Sequence, residues 1–163
     1  MTAGASYREE AARLIASAEG EVRRGDRHVV YDCGTGKPLR QGDTIVGHPT
    51  IGHGRNLEAV GIDDGTAQAL LVEDLIDAED AARGFVGQPA WLALNDARRA
   101  VLIDMAYNLG AQRLYGFHKL RAAILAMDWR AGAAEMRDSA WFRQVGRRGV
   151  RNCEIMESGA IES

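Results

Sequence analysis

Between residues 63 and 86 the chain places Ala67, Leu70, Leu71, Leu75, Ala78, Ala81, Ala82 and Phe85 at three- and four-residue spacing, with no proline among them. A stripe of that period and length closes on one face only in an α-helix, because a strand would scatter it over both faces. Asp63 or Asp64 stands where a helix cap is wanted, and Gly87-Gln88-Pro89 ends the run. The other face is acidic: from Glu58 to Asp80 there are eight Asp and Glu residues and no Lys or Arg. A block of that kind is expected to be solvated.

The sequence differs on the two sides of this helix. Ahead of it, Tyr7 to Glu19 carries Ala11, Leu14, Ile15 and Ala18 on one helical face, with Gly20 as the stop. From Val22 to Leu57 the pattern turns to β-branched residues, Gly and Pro, in HVVYD, CGTGKPLRQGD and TIVGHPTIG. That predicts a small antiparallel sheet with turns at Gly34 to Gly36 and at Gln41-Gly42-Asp43. Behind the long helix, Asn95 to Leu109 is apolar on nearly every side, which predicts a buried helix ended by Gly110 at a left-handed cap. Further helices are expected over 115–127, 129–138 and from Trp141 to about Val145. The fold class is therefore α+β, a small mixed lobe joined by a long helix to an all-helical lobe.

A chain of 163 residues, 46% hydrophobic and 26% charged, suits one soluble domain. The first residues contain no uninterrupted apolar run, so neither a secretory signal nor stable membrane insertion is expected. Cys33 and Cys153 are far apart and lack CxxC spacing, which predicts reduced thiols and no zinc site of that type. His28, His48, His53 and His118 are also scattered, so no metal and no cofactor is expected. The net charge of −3 and the lack of interleaved aromatics argue against nucleic acid as a partner, although Arg143, Arg147, Arg148 and Arg151 form a basic run.

The stretch GHPTIGHGRNL, residues 47–57, is unusually rich in glycine. Read as a strand, it sets Thr50, Gly52 and Gly54 on one bare face, the floor of a groove; read as a turn or bulge, it needs glycine for its backbone. Upstream, Glu19 closes the first helix where the sheet begins and could act as an acid if apolar neighbours raised its pKa. Asp32, before a glycine turn, suits either chemistry or a carboxylate holding its own turn.

In their order, Glu19-Gly20, Tyr31-Asp32-Cys33-Gly34-Thr35-Gly36 and Thr50-Ile51-Gly52-His53-Gly54-Arg55 resemble the motifs of lysozymes of the T4-phage type. The segment Arg98 to Gly110, then Gly116-Phe117, Trp129, Trp141-Phe142, Arg148 and Arg151, resembles that family's helical lobe. The resemblance implies a single lysozyme-like domain over 1–163: a small lobe at about 20–60, a linking helix at about 63–86, and a helical lobe at about 90–163 that includes the N-terminal helix. It implies an inverting muramidase acting on the β-1,4 bond between N-acetylmuramic acid and N-acetylglucosamine. In that scheme Glu19 is the general acid, Thr50 helps place the attacking water, and Gly52, Gly54, Arg55, Tyr107 and Asn108 line the sugar groove.

Cys33 occupies the position where the motif has its second carboxylate. Asp32 is expected to take that role through a one-residue shift, with Cys33 as the alternative. The partner implied is the peptidoglycan glycan strand. An endolysin of this type is expected to be a monomer, made in the bacterial cytoplasm and dependent on a holin-like membrane-permeabilising protein. The competing reading is a peptidoglycan-binding or scaffolding protein of the same fold with weak or no turnover.

Overall fold

The computed structural model describes residues 7–19 and 21–161. It divides into two compact units, Met1–Ala67 and Gln68–Ser163. Gly20, the expected helix stop, lies outside the described residues.

The first unit opens with helix α1 (Tyr7–Ala18), whose apolar stripe forms as read, although none of its residues is buried. Strands β1 (Arg23–Arg24) and β2 (Arg27–His28) make a hairpin, with Arg23 opposite His28. Strands β3 (Tyr31–Asp32), β4 (Lys37–Pro38), β5 (Pro49–Ile51) and β6 (Arg55–Asn56) form an antiparallel sheet in the order β4-β3-β5-β6. Tyr31 faces Pro38 on one side and Thr50 on the other. The expected turns are present, and Gly36 and Gly42 hold the positive φ angles they require.

The glycine-rich stretch is not a continuous strand. Ile51 pairs with Arg55, so Gly52-His53-Gly54 is a hairpin loop, and both glycines sit at positive φ, +60° and +82°. Short hairpin loops commonly need such backbone angles, which explains why the side chains are absent there. The bare-face reading is corrected accordingly: alternation assigns faces only while the strand continues.

The second unit contains nearly all of α2 (Asp64–Val86), followed by α3 (Gln88–Ala93), α4 (Asp96–Leu109), α5 (Ala111–Tyr115), α6 (His118–Leu125), α7 (Trp129–Arg137), α8 (Ala140–Val145) and α9 (Arg147–Ser158). Asp63 accepts the Thr66 N–H at 2.7 Å and starts α2. Only the last turns of α2 enter the core, through Ala78, Ala82, Phe85 and Val86. Leu70, Leu71 and Leu75, earlier on the same stripe, remain 38–49% exposed. The core extends no further toward the helix's start.

Helix α4 lies in the middle of that core, burying Val101, Leu102, Met105 and Ala106. Asn95 caps it by accepting from the Arg98 N–H, while Gly110 ends it at φ +76° with an extended ψ of 158°, rather than in the left-handed cap expected. The start of α4 is tied to the end of α9. Arg98 stacks over Trp129 at 4.1 Å and donates to the carbonyls of Met156 and Glu157. Gly159 closes α9 in a left-handed conformation, where an added Cβ would lie 2.7 Å from the Arg98 guanidinium. No described helix is long and apolar enough to cross a membrane.

Candidate active site

The sheet unit buries only three of its described residues below the surface: Tyr31, Asp32 and Thr50. Two of these are polar, which marks the ground between β3 and β5 as organised around hydrogen bonds rather than apolar packing.

Asp32 is 2% exposed and both of its carboxylate oxygens are engaged. Oδ1 accepts from the N–H groups of Gly34 at 3.0 Å and Gly47 at 2.7 Å. Oδ2 accepts from the Val46 N–H at 2.9 Å and the Thr35 hydroxyl at 3.3 Å. These donors, Val46 first, then Gly47, Gly34 and Thr35, hold the carboxyl below the usual carboxylate range against the opposing effect of burial. The carboxylate thus fastens the residue 37–47 excursion back onto the turn after β3. Gly34 and Gly47 have to be glycine for this closure: a Cβ on Gly34 would lie 2.7 Å from the Gly47 nitrogen, and one on Gly47 would lie 2.8 Å from Cys33 Sγ. A buried anion with four donors and a depressed pKa is a weak proton acceptor, so the geometry favours a turn-holding role for Asp32 over that of a water-activating base.

Cys33, by contrast, is exposed and free. It meets Thr50 through the backbone of His48. The His48 carbonyl accepts from the Cys33 N–H at 3.1 Å and from the Thr50 hydroxyl at 3.0 Å, while the His48 N–H points to Cys33 Sγ at 3.2 Å. Thr50 is therefore fixed in one rotamer, its proton committed and its oxygen lone pairs left to accept.

Glu19 follows α1, its N–H bonded to the Ile15 carbonyl at 2.8 Å. Its side chain lies against the hairpin tip: a Cβ on Gly54 would fall 2.7 Å from Glu19 Oε2. Gly54 thus answers the backbone's demand for a positive φ, and the Glu19 carboxylate closes over it. Gly52 borders open space, and Arg55 turns away to donate to the Gly61 carbonyl at 2.6 Å.

The structure places Glu19, Asp32, Cys33, Thr50, Gly52, Gly54 and Arg55 in the first unit. Tyr107 and Asn108 belong to the second, on α4. Tyr107 is 46% exposed, so it is not the core residue that its helix alone would suggest. Asn108 accepts from the Trp141 indole N–H at 2.9 Å. In the basic run, Arg148 is bound by Asp104 through both its Nε and a terminal nitrogen, and Asn152 donates to the same carboxylate. Arg148 therefore already has its anion. Cys153 is buried, and burial pushes its thiol up to about 11.

His48, one of four scattered histidines in the sequence, joins Cys33 to Thr50 through its backbone. A backbone role leaves no trace in residue type.

Comparison with known proteins follows the same outline. Over 99 residues, 60% of its length, the chain is 33% identical to the pre-baseplate central spike protein Gp5 of Enterobacteria phage T4. Over 69 residues it is 28% identical to the probable T4-type lysozyme 2 of Dictyostelium discoideum. The matched stretches span 17% and 41% of those two proteins' own lengths. The phage lysozyme family model matches residues 29–152, most of both units, and the chain belongs to that family, with its lysozyme-like α+β fold.

Proposed function

We propose that the chain is a muramidase of the endolysin type, hydrolysing the β-1,4 bond between N-acetylmuramic acid and N-acetylglucosamine in peptidoglycan with inversion. One observation carries the reading: in a chain of this family, the Glu19 carboxylate lies on the Gly54 hairpin, in the unit where β5 of the same hairpin holds Thr50 in a fixed rotamer. Glu19 precedes the residues matched to the family, so its role rests on this placement.

Glu19 protonates the departing glycosidic oxygen. Thr50 accepts a hydrogen bond from the attacking water, and exposed Cys33 takes the second position, orienting that water as a weak donor and acceptor; the proton the water sheds on bonding to the anomeric carbon passes to solvent, from which Glu19 is reprotonated. A thiol is not a base until it ionises, so most of the rate falls to Glu19. Asp32 contributes by holding the turn that carries Cys33. Gly52, Gly54 and Arg55 on the hairpin are the sugar-lining residues of the first unit, and Tyr107 and Asn108 on α4 are those of the second. The enzyme works as a monomer made in the host bacterial cytoplasm, and reaches the wall once a separate holin-like protein has opened the membrane.

The test is Glu19→Gln assayed on purified peptidoglycan for new reducing ends. Loss of about 10²- to 10⁴-fold with an unchanged circular dichroism spectrum is expected for removal of a general acid. Equal rates from variant and wild type would overturn the assignment.

A second reading draws support from the engagement of Asp32. With that carboxylate occupied and a thiol beside it, the site lacks an obvious base, as a wall-binding or scaffolding protein could. The likeness to part of a central spike protein fits such a role within a larger assembly. Retention on insoluble peptidoglycan without reducing-end release would favour it.

A further inference from the structure

Two of the four histidines, scattered in sequence, meet in the fold. His28 ends β2 and His53 is the middle residue of the β5-β6 loop, and their rings make an edge-to-face pair with centroids 5.6 Å apart. Glu21, just ahead of β1, completes the group: one donor atom from each of Glu21, His28 and His53 lies within 4.8 Å of the other two. His28 Nδ1 is buried without a hydrogen-bond partner, 3.6 Å from Glu21 Oε2. A buried nitrogen left in that state lacks the partner such groups usually find.

We propose that Glu21, His28 and His53 form a binding site for a zinc-class divalent cation, with water completing its coordination. Two imidazoles and one carboxylate are a donor set that suits Zn2+. Around a tetrahedral zinc with bonds near 2.05 Å the donors would stand about 3.3 Å apart. Glu21 and His53 are both exposed, so side-chain rotation alone can close the present spacing.

The site contains its own competitor. The Arg23 guanidinium makes a 3.0 Å contact with Glu21 Oε1 and another of 3.0 Å with His28 Nε2. A guanidinium can only donate, so His28 Nε2 accepts and the imidazole proton sits on Nδ1. Coordination through Nδ1 requires that tautomer to switch, and coordination through Nε2 requires Arg23 to leave. On either route Arg23 opposes the metal, both as a hydrogen-bond rival and as a like charge. The proposal is independent of the muramidase reading, since it uses neither Glu19 nor Thr50.

Titration calorimetry of the full chain with Zn2+ alone, and the visible spectrum of its Co2+ form, test the proposal. A single saturable site is expected, weakened by about tenfold or more in His53→Ala and Glu21→Gln, with loss of intense tetrahedral Co2+ bands. Arg23→Ala should bind Zn2+ several-fold more tightly, an effect that a merely structural role for the cluster would not produce. Controls with Cys33→Ser and His48→Ala should leave the affinity unchanged. Absence of Zn2+ binding would overturn the site, as would binding that survives His53→Ala or disappears in the Cys33 or His48 control.

Discussion

The two units are held together by different chemistry. In the helical unit the fully buried residues are mainly apolar, with Leu102, Met105, Leu114, Leu120, Met136 and Met156 each below 2% exposed. In the sheet unit the buried set is Tyr31, Asp32 and Thr50, and the densest cluster of bonds surrounds a carboxylate. Strands of two and three residues cannot assemble a broad apolar face, so the small unit fixes its loops by satisfying backbone N–H groups instead. Apolar packing is tolerant of substitution but expensive to hollow out. A carboxylate hub depends on charge, and therefore on pH.

The largest expected effect is on the apolar side. Leu102→Ala removes a fully buried side chain from the middle of α4 and should cost about 2–5 kcal/mol in denaturant unfolding. Val30→Ala in the sheet unit truncates a half-buried residue and should cost about 1 kcal/mol or less. Equal losses from the two would show that the sheet unit holds an apolar core comparable with that of the helical unit, and the contrast would fail.

Next comes the hub. Asp32 has a native pKa below its ordinary value of about 3.9, so its anion stabilises the fold fully above that pH. The contribution is lost as pH falls from there through the native value. Asp32→Asn should therefore be less stable than wild type at neutral pH, with the gap shrinking below about pH 4. The amide NH2 would also face N–H donors where an acceptor is required, so the amides of Gly34, Val46 and Gly47 should exchange faster with solvent deuterium. Amides of α4 and α9 should be unaffected. A gap that stayed constant through acid would show that the carboxylate's charge is not what holds the loop.

The same division governs what could be read from sequence. Helices α2 and α4 were legible because their apolar periodicity is long and their caps, Asp63 and Asn95, are of the usual residue types. Helix α9 was not foreseen: its buried face is Gly149, Asn152, Cys153, Ile155 and Met156, and its opening RRGVR reads as a charge run. The sheet's turns were visible in Gly36 and Gly42, but the hub was hidden, because three of its four donors are backbone groups and two come from residues 46 and 47, distant in sequence from Asp32. A lone Asp before a glycine turn signals at most the local half of that arrangement. Likewise His28 and His53 adjoin only once two hairpins have folded. Spacing rules find sites built within one element, and this unit builds its clusters across several.

The smallest effect sharpens the contrast from the helical side, where polar groups serve at the ends of helices. Asn95 accepts the Arg98 N–H at 3.0 Å and donates to the Gly159 carbonyl at 2.8 Å, joining the start of α4 to the segment after α9. Asn95→Ala should cost about 1 kcal/mol, as for the loss of a helix cap. Unlike the Asp32 variant it should show no added dependence on pH between 3 and 7, because an amide carries no charge to titrate. Asn95→Asp separates the two functions: it keeps the cap acceptor and adds a favourable charge at the helix start, but loses the donor to Gly159. If Asn95→Asp restores wild-type stability, capping is the role that matters; if it falls with Asn95→Ala, the tie to the end of α9 carries the weight.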